Sequence, residues 1–240
     1  MKTKHLFKLR TASVALLALL LTVGVFTGCG GKEDGKEDGK KDEKKDEKEA
    51  EIKGRKEYEE GMAFFTAQQY EPAVKQFAAA ANLGHAEAQC ALAFCYREGF
   101  GVKKDEAKAF QLYQTVAETG NSVAQVNLAF CYQQGVGVEK NETKAFELLR
   151  KAAEQGDSTA LNNLAFCYRD GVGVEKNETR AFELLQKAAE QGDSAAQRTL
   201  AGRYLDGDGV EKDINEAEKW YKKAAEQGDD YAARKLKELR

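Results

Sequence analysis

The 240-residue sequence is poor in proline, tryptophan and histidine, with one, one and two of each. A single proline, with 42% hydrophobic and 32% charged residues, is typical of a helical protein rather than a β-rich one. Only His85 lies beyond the first 28 residues, so a histidine-based triad or a multi-histidine metal site lacks its residues. We expect His85 to be a turn or cap residue, and we expect neither a metal nor another cofactor.

The sequence also lacks clusters of lysine and arginine. Its formal net charge is −3, and loss of the four basic residues in residues 1–28 changes this to −7. Because proteins bind nucleic acid mainly through basic clusters on its phosphates, we expect no nucleic-acid partner.

The N-terminus has the pattern of a targeting segment. A basic start is followed by an apolar run from Val14 to Phe26, which is short for a transmembrane helix and ends in small residues. The next residue is Cys29, and the run Phe26-Thr27-Gly28-Cys29 resembles the lipobox of bacterial lipoproteins, although Phe26 replaces the usual leucine. This resemblance implies a signal peptide over 1–28, lipidation of Cys29 and a membrane anchor; the alternative is an ordinary secretory signal with an incidental cysteine.

Residues 29–51 contain the expected lipidated cysteine and then almost only Gly, Lys, Asp and Glu. Such a segment cannot bury enough apolar surface to fold, so we expect a disordered charged linker. Its simplest role is a passive tether, but Lys32-Glu33-Asp34 resembles the acidic surface-export signals of some lipoproteins. Gly30 is not the aspartate associated with inner-membrane retention, so the resemblance implies the outer membrane, at its periplasmic face or at the cell surface.

A 36-residue period runs through the rest of the chain. It is marked by recurring glycine, tyrosine and alanine positions: Gly84, Gly120, Gly156, Gly192, Gly228; Tyr96, Tyr132, Tyr168, Tyr204; Ala109, Ala145, Ala181, Ala217. In the unit that follows Gly156, Asp157 and Asn177 can cap two helices separated by a Gly171-Val172-Gly173 turn. The pattern predicts stacked helix pairs that cover one another's apolar faces.

The unit motif A-x-x-x-L-A-x-x-Y-x-x-G-x-G-V, followed by A-F-x-L-L-x-K-A-A-E-Q-G, resembles the Sel1-like repeat, a relative of the tetratricopeptide repeat. The resemblance implies an all-α fold, a right-handed α-α superhelix or solenoid, and a role in binding proteins. We expect a tetratricopeptide-like cap repeat over 52–87 and a C-terminal polar helix over 232–240. Four Sel1-like repeats are expected between them, over 88–123, 124–159, 160–195 and 196–231.

Residues that could perform catalysis are scarce. The serines beyond the signal, Ser122, Ser158 and Ser194, occupy one helix-start position, where hydroxyls cap helices. Some cysteine-rich relatives are described as binding or hydrolysing β-lactams, but no S-x-x-K motif is present. Here Cys95, Cys131 and Cys167 occur once per repeat, too far apart for a disulfide, so we expect unpaired thiols, with Cys90 the most exposed. We expect no enzyme.

One face of each first helix could bind a partner. Phe166 projects roughly opposite the core-facing Leu164, and in tetratricopeptide-type stacks this face lines the concave groove. The binding candidates are Phe94, Arg97, Val126, Phe130, Gln133, Asn162, Phe166 and Arg169. The alternative is that each phenylalanine packs against the next repeat and is hidden.

The leading hypothesis is a non-catalytic, membrane-anchored adaptor of the cell envelope that holds an unidentified protein or peptide in this groove. An envelope hydrolase or binder acting on β-lactams or cell-wall peptides, and a passive structural spacer, remain as alternatives.

Overall fold

The computed structural model describes residues 38–239, with side chains from Asp46 onward. Within that range every regular secondary-structure element is an α-helix, and short turns or loops connect the helices. The helices are α1 (Asp38–Thr66), α2 (Tyr70–Asn82), α3 (Ala86–Glu98), α4 (Glu106–Glu118), α5 (Ser122–Gln134), α6 (Glu142–Glu154), α7 (Ser158–Asp170), α8 (Glu178–Glu190), α9 (Ser194–Asp206), α10 (Ile214–Glu226) and α11 (Asp230–Glu238).

The helices pack in sequential pairs, and the second helix of each pair also packs on the first helix of the next. In addition, α5 contacts α7 directly, so first helices of successive pairs approach one another. This arrangement confirms the predicted solenoid, because no pair could bury both of its apolar faces alone.

Each pair begins and ends as the sequence predicts. The Asp157 carboxylate accepts the N–H of Ala160 at 2.9 Å and caps α7, and the Asn177 amide oxygen caps α8. The prediction that serines are the caps is wrong, because the preceding residue takes that position in all three repeats. Ser122 instead donates its hydroxyl to the Asp157 carboxylate of the next repeat at 2.9 Å.

Alanine dominates the interior of the solenoid. Ala109, Ala145, Ala181 and Ala217 are fully or almost fully buried on the second helices, where a small side chain allows the neighbouring helix to approach closely. Larger side chains fill the remaining space, among them the buried Tyr113, Leu149 and Leu185. The identical spacing of these residues explains why one interior continues from pair to pair.

The N-terminal pair differs from the expectation at its start. Helix α1 begins at Asp38, so residues 38–51 are helical rather than an unfolded linker. Lysine and glutamate have high helix propensity, and a helix already packed from Gly54 onward extends without a new nucleation step. Residues 30–37 lie outside the described part of the chain. Helix α11 begins at Asp230, two residues before its predicted start.

Candidate binding surface on the first helices

The eight predicted binding residues form what we call the first-helix stripe: Phe94 and Arg97 on α3, Val126, Phe130 and Gln133 on α5, and Asn162, Phe166 and Arg169 on α7. Their exposure is uneven. Phe94, Arg97 and Asn162 are buried, whereas the other five are intermediate. The stripe is therefore partly covered, and the prediction of one continuous outward-facing surface is wrong at its N-terminal end.

Phe94 is covered by aromatic residues that a single-helix projection omits. Its side chain is 7% exposed, and its ring lies 6.2 Å from the Phe65 ring of α1 and 5.8 Å from the Phe100 ring in the following turn. Cys90, one turn earlier and predicted to be the most exposed thiol, is also buried beside Tyr113. The N-terminal pair covers Phe94 and residues of α4 cover Cys90, so both predictions fail because other helices pack on α3.

Arg97 joins the first two repeats. Its guanidinium carbon lies 4.9 Å from the centroid of Phe94 and 4.9 Å from that of Phe130, so a ring is placed on either side. Its Nε atom donates to the Glu98 carboxylate at 2.7 Å. Stacking between two rings hides the side chain, which is 9% exposed, while the charge keeps an acidic partner.

Phe130 and Phe166 are the accessible aromatic residues of the stripe. Both are half-buried, and among the described residues neither ring packs against the clusters of buried hydrophobic side chains. Val126 is different, because it does pack against the core. Gln133 spans two repeats by donating an amide N–H to the Cys167 sulfur at 3.7 Å. The stripe thus presents two partly accessible rings on consecutive first helices.

Asn162 and Arg169 flank Phe166 on α7. The Asn162 side chain is 5% exposed, and its Oδ1 atom has no hydrogen-bond partner within the described side chains. The Arg169 guanidinium carbon lies 4.6 Å from the Phe166 centroid, and its Nε and Nη2 atoms both donate to Asp170 at 2.7 Å. Asn162 and Arg169 thus lie on either side of Phe166 along the helix, and a buried amide oxygen without a partner is unusual.

The junction between the third and fourth repeats is built differently from the preceding ones. Gly202 takes the place of the phenylalanine, and Arg203 takes the place of the cysteine. Arg203 is 6% exposed, and its Nη1 atom lies 3.3 Å from the Glu178 carboxylate at the start of α8. Sequence reasoning missed Arg203, although a charged residue at a thiol position was a visible signal.

The thiols have the environment of core residues. Cys90, Cys95, Cys131 and Cys167 are all buried and unpaired, which confirms the prediction that the repeat cysteines form no disulfide. Burial raises the pKa of Cys95 to about 12 and, as the largest cause, the pKa of Cys167 to about 11. Because the thiolate is the reactive form, these thiols are poor nucleophiles at neutral pH.

His85 is the N-cap of α3, as predicted. Its Nδ1 atom accepts the N–H of Ala88 at 3.3 Å, and the Tyr58 ring stacks on the imidazole at 5.0 Å. Residues 46–239 contain no group of three or more His, Cys, Asp or Glu side chains placed to hold a metal ion. The described helices also include none that is long and apolar enough to cross a membrane. Cys29 and the expected signal peptide lie outside the described residues.

Comparisons with known proteins place this geometry in a family. The Sel1 repeat model matches residues 86–121, 122–157, 158–193 and 194–229, two residues earlier than each predicted boundary. A search of curated proteins finds no match.

Solved structures are similar over about three quarters of the chain. A Sel1 repeat protein of Oxalobacter formigenes is 37% identical with a TM-score of 0.65, over 75% of this chain and 73% of that one. A protective antigen of uropathogenic Escherichia coli with an SLR fold is 33% identical with a TM-score of 0.61, over 76% of this chain and 40% of its own. An immunity protein of Pseudomonas aeruginosa is 28% identical with a TM-score of 0.59, over 75% and 68%. The chain belongs to the Sel1 repeat family, whose fold is typical of protein–protein interaction scaffolds.

Proposed function

We propose that this protein is a non-catalytic scaffold that is anchored by lipid at Cys29 in the bacterial cell envelope, most simply at the outer membrane. It binds a protein or peptide along the first-helix stripe, which lines the concave side of the solenoid. The observation that carries the proposal is the pair Phe130 and Phe166. These rings are only partly buried and lie outside the core clusters, beside the guanidinium groups of Arg97 and Arg169.

The physical argument is that part of each ring still contacts water. Aromatic residues and arginine are both enriched at protein interfaces, where an aromatic ring buries a large area with few rotatable bonds. A passive spacer has no need for such a pair, and a charged residue at either position would be more soluble. Affinity would therefore come from apolar contact with the rings, and orientation from the neighbouring polar groups.

The proposal is tested by affinity capture from cells that express the full chain. We expect Phe130→Asp to reduce recovery of a bound partner at least about tenfold, because it puts a charge at the centre of the contact. Lys151→Asp is the control, since Lys151 is exposed on α6, a second helix. Equal recovery with Phe130→Asp and with the unaltered chain would refute binding at the stripe. Absence of any saturable partner would favour the spacer.

A further inference from the structure

Arg97 and Arg169 occupy equivalent positions two repeats apart, but only Arg97 is enclosed by rings. Arg97 lies between Phe94 of its own helix and Phe130 of the next first helix, each 4.9 Å away. Arg169 lies over Phe166 of its own helix at 4.6 Å. The residue equivalent to Phe130 on the next first helix is Gly202, so within the described residues no ring lies over the other face of Arg169.

Gly202 leaves room for a side chain, and Arg169 is more exposed than Arg97. A Cβ atom added to Gly202 would have the Tyr221 hydroxyl, 3.6 Å away, as its nearest neighbour and would meet nothing else within 4 Å. The Arg169 side chain is 33% exposed, against 9% for Arg97. The Asp170 carboxylate binds the edge of the guanidinium through Nε and Nη2, which leaves its flat face free. Arg169 therefore has one of the two stacked rings that Arg97 has.

The site is defined by the ring and the cation that remain at this junction. Phe166 lies against one side of Arg169, and Gly202 takes the place of the ring that Phe130 supplies to Arg97. We call Phe166, Arg169 and Gly202 together the Arg169 notch.

We propose that the Arg169 notch binds an aromatic side chain of the partner. Its ring stacks on the open face of Arg169, in the place that Phe130 takes on Arg97. The negative face of an aromatic ring complements the guanidinium, whereas an aliphatic side chain of similar size lacks this attraction. This inference rests on the proposed function, because it names the chemistry of the partner at the same stripe.

The experiment is nuclear magnetic resonance of the full chain with labelled arginine side chains. N-acetyl-tryptophanamide is the probe, and N-acetyl-leucinamide is the matched aliphatic compound. We expect the tryptophan amide to shift the Arg169 Nε–H resonance upfield in a saturable way. Arg97 is the internal control and should not respond, since both of its faces are already covered. No saturable shift at Arg169, or an equal shift with the leucine amide, would overturn the proposal.

Two variants separate the notch from the rest of the surface. Gly202→Phe should supply the missing ring from within the chain and weaken binding of the tryptophan amide at least about tenfold. Arg169→Gln should weaken it about 5- to 30-fold, and it should fold because the second repeat already has Gln133 at this position. Arg150→Gln makes the same change on α6 and should have no effect.

Failure of the aromatic site can be distinguished from failure of the proposed scaffold function. If Phe130→Asp abolishes partner capture while Gly202→Phe and Arg169→Gln leave binding of the tryptophan amide unchanged, the scaffold stands and the aromatic site is wrong. If Phe130→Asp leaves partner capture intact, the proposed function fails, whether or not the tryptophan amide binds at Arg169.

Discussion

The junction between the second and third repeats and the junction between the third and fourth repeats share one helix frame but use different chemistry. At the first, the buried Cys167 thiol accepts an N–H from Gln133, and Gly173 packs directly against the backbone at the start of α6. At the second, Arg203 replaces the thiol, and Gly209, the equivalent of Gly173, has side-chain atoms of Arg203 and Glu178 as its nearest neighbours. A direct backbone contact between loop and helix is replaced by an ion pair.

This difference indicates that a repeat solenoid can keep its geometry while its junctions differ in strength. Glu178 is 55% exposed, and ion pairs that reach solvent contribute little, roughly 0–1 kcal/mol. Burial of the Arg203 guanidinium meanwhile costs hydration. We therefore expect the last pair, with α11, to open more readily than the central repeats, as local unfolding in repeat arrays allows.

The largest expected effect comes from placing a charge at the thiol position between the second and third repeats. Cys167→Arg should lower the free energy of unfolding by about 3–5 kcal/mol, because Gly173 packs directly against the Glu142 carbonyl at this junction and a buried guanidinium would force the two backbones apart. The reverse change, Arg203→Cys, should cost no more than about 1–2 kcal/mol, since it restores the residue of the other repeats. Urea unfolding of both variants measures the difference, and equal losses would contradict the comparison.

The turn glycines provide the next test. A Cβ on Gly173 would overlap the Glu142 carbonyl oxygen, whereas a Cβ on Gly209 would lie 3.2 Å from the flexible end of Arg203. Both residues have positive φ, 72° and 71°, so alanine is strained at either position. We expect Gly173→Ala to cost about 3 kcal/mol and Gly209→Ala about 1 kcal/mol in urea unfolding. Similar costs would mean that the two loops pack alike.

A smaller effect should come from the cap of α9. Burial is the largest influence on the Asp193 carboxyl and raises its pKa, although the N–H of Ala196 and the charge of Arg198 oppose it. Because the folded state favours the protonated acid, this contribution is present at low pH and is lost as the pH rises through the raised pKa. Asp193→Asn, which copies Asn121, should therefore stabilise the protein by about 0.5 kcal/mol at pH 7. Thermal unfolding should show the gain shrinking as the pH falls through the raised pKa and vanishing below about 4, the ordinary pKa of an aspartate, and a gain independent of pH would contradict it.

The smallest effect is expected for the ion pair itself. Glu178→Gln should change the free energy of unfolding by less than about 1 kcal/mol, and added salt should reduce the difference. The direct readout is amide hydrogen exchange in α9, compared with α7 as the internal control. A large protection loss confined to α9 would show that the pair contributes more than an exposed salt bridge.

Much of the fold followed from the sequence because its signals are local and repeated. The caps Asp157 and Asn177, the turn after Asp170 and the stacking period all depend on residues within one unit. The stripe was less predictable, since a helical projection of α3 contains no information about Phe65, which arrives from α1 and covers Phe94. Likewise, the unpaired Asn162 amide depends on what surrounds it, and no residue pattern reports that.

The central claim is that the first-helix stripe binds a protein partner. The most direct measurement is crosslinking in intact cells with a photoreactive residue at position 130 in place of Phe130, compared with the same residue in place of the solvent-facing Lys151, followed by mass spectrometry. The account predicts one discrete crosslinked protein from position 130 and none from position 151. The same products from both positions, or none from either, would contradict it.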